Sequence, residues 1–196
     1  MFIAITEYKR LDSHHAAHLI DIAPHIDRLI LRTPMSDTDL AAFLTRLLHS
    51  GFPPEKVVIH SSIDLLESFK LQFIHFKEHD MEAFKYKEEH PEISVSMSTH
   101  SAESIKNAQL NGLDSVLFGH IFESASKKGL PPRTNAEIKE AVSFDIPVIA
   151  LGGINLYTIE KLPAGFDGIS SISGFMDAAP DQIINLRKEW HRLNSM

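Results

Sequence analysis

The sequence predicts a single α/β domain built as a (β/α)8 barrel, the TIM barrel. Three observations lead there. Short runs rich in Ile, Val, Leu and Phe recur eight times along the 196 residues, mostly without strict alternation, as strands buried on both faces do. An amphipathic stretch of helical period follows each run. The resulting strand–helix units average about 24 residues, with no Pro-, Gly- or Ser-rich linker to divide them, so residues 1–196 read as one domain.

The expected strands are Phe2–Thr6, Asp27–Arg32, Lys56–His60, Leu71–His75, Ile93–Met97, Ser115–Phe118, Pro147–Leu151 and Gly168–Ser171. The expected helices between and after them are His14–Ala23, Asp37–Ser50, Ile63–Phe69, Met81–Glu88, Ala102–Asn111, Asn135–Val142, Leu156–Lys161 and Ala179–Leu193. Ser36, ahead of Asp39 and Leu40, fits a helix start. Ser101 is expected to cap the fifth helix, with Glu103 placing negative charge in its first turn. The residue three positions on is Ser104, not Glu or Gln, so a full reciprocal capping box is not expected there. Gly51 and Gly112 stand where helices should stop. The competing architecture, an open doubly wound sheet, would want a glycine loop for phosphate after the first strand. Thr6-Glu7-Tyr8-Lys9 follows instead.

Composition narrows the function. The chain has no cysteine, which excludes disulfides, zinc thiolate sites, iron–sulfur clusters and a cysteine nucleophile. Lys and Arg number 19 against 26 Asp and Glu, a net charge of −7, which argues against a nucleic-acid partner. No window reaches the roughly 18 apolar residues of a membrane span. The N-terminus lacks a basic leader and a small-residue cleavage site, so a cytoplasmic location is expected. A symmetric homodimer is the base-rate expectation for its assembly.

A barrel carries its chemistry at the C-terminal ends of its strands. Those ends hold Thr6 and Glu7, Arg32 and Thr33, His60 and Ser61, His75 and Lys77, Ser98 to His100, Gly119 and His120, Gly152 and Gly153, and Ser173 and Gly174. The ring is polar and rich in donors. Gly152-Gly153 after the seventh strand and Ile172-Ser173-Gly174 after the eighth suit a phosphate group. Glycine lets backbone N–H groups approach an anion, and barrels often seat phosphate between these two loops. The longest loop follows the sixth strand, from about Gly119 to Arg133. It carries His120, Ser124, Ser126, Lys127, Lys128 and Arg133, and long loops in compact domains tend to be functional. Of the 12 histidines, His60, His75, His100 and His120 fall at strand ends. No metal-type spacing links them, so no metal and no cofactor is expected, and a single acid/base histidine is the favoured reading.

The stretch from Asp114 through Gly119-His120-Ile121-Phe122 to Leu130 resembles the thiamin phosphate synthase/TenI superfamily, and the likeness runs in order along nearly the whole chain. Ser98-Thr99-His100-Ser101 resembles its turn after strand five, Pro147 to Ile154 its strand-seven phosphate loop, and Asp167-Gly168 with Ile172-Ser173-Gly174 its strand-eight loop. The superfamily holds magnesium-dependent synthases, which couple a pyrimidine pyrophosphate to a thiazole phosphate, and TenI-type tautomerases, which aromatise a carboxythiazole phosphate.

The resemblance favours the TenI type. Synthases typically have Arg-Glu-Lys after strand two, and here Arg32 is followed by Thr33 and Pro34. They have Asn-Asp after strand three, with the aspartate on magnesium, and here His60-Ser61 stands there. Asp80 is the weakly matched counterpart of their second metal aspartate. They have Gly-Pro after strand six, where this chain has Gly119-His120. The resemblance implies that His120 is the tautomerase's acid/base, taking a proton from ring C2 and delivering it to the exocyclic carbon. Gly152, Gly153, Ile172, Ser173 and Gly174 are then expected at the ligand's phosphate, and Arg32, Ser98 or Lys127 at its carboxylate. Two other functions compete: the magnesium-dependent synthase, and a non-catalytic regulatory protein that binds a phosphorylated ligand. Loss of activity on mutating His120 would separate the enzyme from the bare binder.

Overall fold

The computed structural model describes residues 1–124 and 127–195. Its strands are β1 (Phe2–Ile5), β2 (Arg28–Leu31), β3 (Val57–His60), β4 (Phe73–Phe76), β5 (Ser94–Thr99), β6 (Ser115–Gly119), β7 (Val148–Leu151) and β8 (Gly168–Ser171). Each pairs in parallel with the next, and β8 pairs with β1, so the sheet closes into the expected (β/α)8 barrel. The observed strand ends fall within two residues of the expected ones.

The helices are α1 (Ser13–Ile22), α2 (Asp37–His49), α3 (Ile63–Ser68), α4 (Glu82–Glu89), α5 (Ala102–Leu110), α6 (Asn135–Ala141), α7 (Ser173–Met176) and α8 (Pro180–Asn194). Two expectations need correcting. The segment 156–161 is not an α-helix; only a 3-10 turn at Ile159–Lys161 forms there. The Thr158 hydroxyl donates to the Gly153 carbonyl at 2.8 Å and the Asn155 carboxamide accepts from the Tyr157 N–H at 2.8 Å, which holds the segment as turns. Pro163 then forces Leu162 into extended backbone. A short helix, α7, appears instead directly after β8. The second correction is at Ser101: a reciprocal box does form. Ser101 Oγ accepts from Ser104 N at 3.1 Å, and Ser104 Oγ accepts from Ser101 N at 3.2 Å, so a serine does what a longer side chain usually does.

The apolar residues sort into two layers. Ile3, Ile5, Ile30, Val58, Leu117 and Ile149 fill the barrel interior. A larger cluster, including Phe43, Leu44, Phe76, Ile105 and Trp190, packs the helices on the outside of the sheet. At the N-terminal end of the barrel three aspartates repeat one device. Asp27, Asp114 and Asp167, each just ahead of an even-numbered strand, accept the backbone N–H of Phe2, Val95 and Val148 from the preceding strand, at 2.7, 2.7 and 2.9 Å. Each satisfies a donor at the start of a strand, where the ladder leaves it open. Among the described residues no helix is long and apolar enough to cross a membrane.

Candidate active site

At the C-terminal end of the barrel a cavity of about 370 Å³ opens over the interior residues Ile5, Ile30 and Leu117. Its wall takes in Arg32, His60, His75, Ser98, His120, Lys127, Gly152, Gly153, Ile172 and Ser173. Every site residue expected from the sequence therefore faces one cavity, except Gly174. That residue lies behind the wall, with its N–H given to Ser171 Oγ at 3.1 Å.

His120 follows β6 and is only 6% exposed. Its Nε2 lies 3.3 Å from the Leu130 carbonyl. A carbonyl can only accept, so Nε2 carries the hydrogen, and in the neutral ring Nδ1 then holds the lone pair. The loop that follows is anchored by Arg133. The Arg133 N–H donates to the His120 carbonyl at 2.9 Å, its Nε donates to the Gly119 carbonyl at 3.1 Å, and its guanidinium pairs with Glu137 at 3.1 Å. Arg133 is thus a structural tie, while Lys127 lines the cavity. Ser126 lies outside the described residues.

The loops after β6 and β7 are zipped together. Ile121 N donates to the Leu151 carbonyl at 2.9 Å, and Phe122 N to the Gly152 carbonyl at 3.1 Å. The close approach needs both glycines, which sit at φ +102° and +67°. A Cβ on Gly153 would come within 2.5 Å of the Glu123 carbonyl. The pair therefore shapes the wall behind His120 as well as offering backbone donors. Among the described residues the N–H groups of Gly153, Ile172 and Ser173 show no acceptor beside the cavity.

His75 is 3% exposed and lies between two serines, with Nδ1 2.9 Å from Ser96 Oγ and Nε2 2.9 Å from Ser98 Oγ. Ser96 gives its hydrogen to the Ile74 carbonyl, so it accepts from His75, and His75 Nε2 must accept from Ser98. The Ser98 hydrogen is spent on His75. Ser98 therefore presents lone pairs to the cavity, which suits a ligand donor and not the carboxylate considered for it from position. Burial, followed by the neighbouring His60, pushes His75 down to about 3. Burial first, then the charges of Arg32 and Lys77, push His60 to about 4. Both rings are neutral near pH 7.

One pairing in the wall was not expected. Glu78, two residues past β4, receives the His100 backbone N–H and stands against the His100 ring Nδ1, both at 2.6 Å. Burial works to raise the Glu78 pKa, but hydrogen bonds from Ser104 and from the backbone and ring of His100 outweigh it and hold the carboxyl below its usual range. The available signal was that Glu78 and His100 follow neighbouring strands, so a closed barrel must bring them together.

The fold and the site can be compared with known proteins. Residues 25–175 match the family model TMP-TENI, described as thiamine monophosphate synthase. A thiamine-phosphate synthase of Chlorobium phaeobacteroides is 29% identical over 140 residues, 69% of this chain and 66% of that protein. One of Methanobrevibacter smithii is 30% identical over 144 residues, 71% of this chain and 69% of that protein. The matched stretch thus spans about two thirds of these relatives. Among solved structures, a thiamine phosphate pyrophosphorylase of Pyrococcus furiosus superposes with a TM-score of 0.80 at 23% identity, over 98% of this chain and 96% of that one.

Proposed function

The chain belongs to the TMP-TENI, thiamine monophosphate synthase, family, and from that premise we propose that it is a thiazole phosphate tautomerase, an isomerase whose acid/base is His120. The observation that carries this reading is the place and tautomer of His120. The ring follows β6 on the cavity wall, beside the glycine loop after β7, with Nε2–H held by Leu130 and Nδ1 left as a base. In this account the N–H groups of Gly153, Ile172 and Ser173, without an acceptor among the described residues, hold the phosphate of a carboxythiazole phosphate. Arg32 and Lys127 face its carboxylate. His120 takes the proton from ring C2, the ring electrons shift, and the same proton returns to the exocyclic carbon. Such acid–base help is worth about 10²–10⁴-fold, enough for a step that aromatisation drives downhill.

The relatives' names favour a second reading, the synthase. That reaction calls for magnesium, a hard cation that takes oxygen ligands. The residues here do not fit the ion. Ser61 stands after β3, and Glu78, the one carboxylate on the wall of the main cavity among the described residues, is engaged with His100 beside the cations Arg32 and Lys77.

The deciding experiment runs two assays on the wild-type protein. One follows loss of the carboxythiazole phosphate tautomer in chelator. The other follows coupling of pyrimidine pyrophosphate to thiazole phosphate with magnesium. Turnover in the first alone supports the tautomerase; turnover in the second alone replaces it with the synthase.

A further inference from the structure

Beside the main cavity a second lobe of about 650 Å³ opens at the ends of β2, β3 and β4. The two share Arg32, His60 and Lys77 as a common wall. Among the described residues neither Arg32 nor Lys77 forms an ion pair. Arg32 lies over the Tyr8 ring at 4.7 Å. Both cations are near enough to His60 to depress it, against a smaller opposite pull from Asp80.

Ser61 completes the set. Its backbone sits at φ +62°, pinned by a hydrogen bond from its N–H to the His75 carbonyl at 3.0 Å. Among the described residues its Oγ is buried with no partner, in a residue that lines the lobe. A non-glycine residue held in this region, with an orphaned hydroxyl, is a common mark of a binding site. Among the described residues none of the lobe's carboxylates, Asp37, Asp64 and Glu82, forms an ion pair with Arg32 or Lys77, and they do not converge as a metal-ligating group; Asp37 is held by the Ser62 hydroxyl at 2.6 Å.

We propose that Lys77, with Arg32 and the Ser61 hydroxyl, forms a protein-only subsite for a second oxyanion of the ligand. In an eight-stranded barrel β3 stands opposite β7, so this subsite faces the phosphate loops across the mouth. The ligand class is a molecule with a phosphate at one end and a separate oxyanion, carboxylate or phosphoryl, at the other. The proposal rests on the reading of the β7–β8 loops as a phosphate site. Lys77 and Arg32 supply the positive charge that the synthase reading assigns to a metal.

The test is calorimetric titration, in chelator, of wild type, Lys77→Met and Lys77→Arg. The probes are carboxythiazole phosphate, the thiazole phosphate lacking the carboxylate, and inorganic pyrophosphate with and without magnesium. Wild type should bind a doubly anionic probe without metal, and Lys77→Met should weaken it about 10- to 100-fold, as loss of one charge-assisted hydrogen bond does. Binding of the probe without carboxylate should be unchanged, and Lys77→Arg should recover most of the loss. Dependence on Lys77 for the carboxylated probe identifies a carboxylate subsite; dependence for pyrophosphate identifies a phosphoryl one. The His60 ring, followed by proton NMR, should titrate at higher pH both in Lys77→Met and on anion binding. Equal binding of both thiazole probes and of pyrophosphate by wild type and Lys77→Met, or binding that needs magnesium, overturns the subsite. Lys77-dependent binding without turnover would overturn the tautomerase reading and leave the subsite standing.

Discussion

Gly152 packs against His120 so closely that a methyl group on Gly152 would overlap the histidine's Cβ and come within 2.8 Å of its Cα. The acid/base candidate and the phosphate loop are therefore one packed unit. Gly152 also sits at φ +102°, a region that side chains rarely adopt.

Gly152→Ala tests that unit. Backbone strain alone should cost about 1–3 kcal/mol of stability. Pushing His120 aside should cost more in rate, on the order of 10²-fold, because a shift of about 1 Å can do so. Urea unfolding and kcat, measured on the same preparation, check both. A variant with wild-type kcat would show that His120 does not depend on this contact.

His75 gives the protein an acid-sensitive interior. Its folded pKa is about 3 against an ordinary value of 6.5, so the unfolded chain binds the proton more readily between those values. Stability is thus complete above about pH 6.5 and falls as pH drops toward 3, by no more than about 1.4 kcal/mol per pH unit per histidine. His60 adds to the slope down to about pH 4. Unfolding free energies of wild type and His75→Gln at several pH values from 7 to about 4.5 should show a shallower slope in the variant. Parallel slopes would mean that His75 is not the buried neutral ring described.

Asp27 should matter more than its half-exposed position suggests. It accepts from Phe2 N at 2.7 Å and from Arg187 at 2.9 Å. Burial works to raise its pKa, but the Arg187 and Phe2 hydrogen bonds win and lower it. Its contribution is therefore full above the ordinary carboxylate pKa, about 3.9, and is lost as pH falls through the lower folded value. Asp27→Ala should lose about 1.5–3 kcal/mol at pH 7, the range for hydrogen bonds to a charged group. Denaturant midpoints measure this, and a loss much smaller than that would assign the anchoring to the ladder alone.

Much of this molecule was legible in its sequence. The strands are short apolar runs buried on both faces, so their pattern marks them, and the barrel rule then places His120, Arg32, Ser98 and the two glycines at one mouth. What stayed hidden depends on contacts between segments. Ser104 serves as a capping partner because the backbone at Ser101 and His100 turns toward it. The segment 156–161 reads as a helix until Thr158 and Asn155 capture its backbone. Glu78 meets His100, and Ser98 spends its hydrogen on His75, only once neighbouring strands are aligned. Lys77 is one cation among 19 Lys and Arg residues until the fold sets it beside Arg32 and His60.

The central claim is that His120 moves the proton. The most direct measurement is turnover of the carboxythiazole phosphate tautomer, in chelator, by wild type, His120→Ala and His120→Asn, with ligand affinity measured beside it. Both variants should lose about 10²–10⁴-fold in kcat while binding the ligand as wild type does. Turnover that survives in either variant, or that wild type performs only with magnesium, would contradict the account.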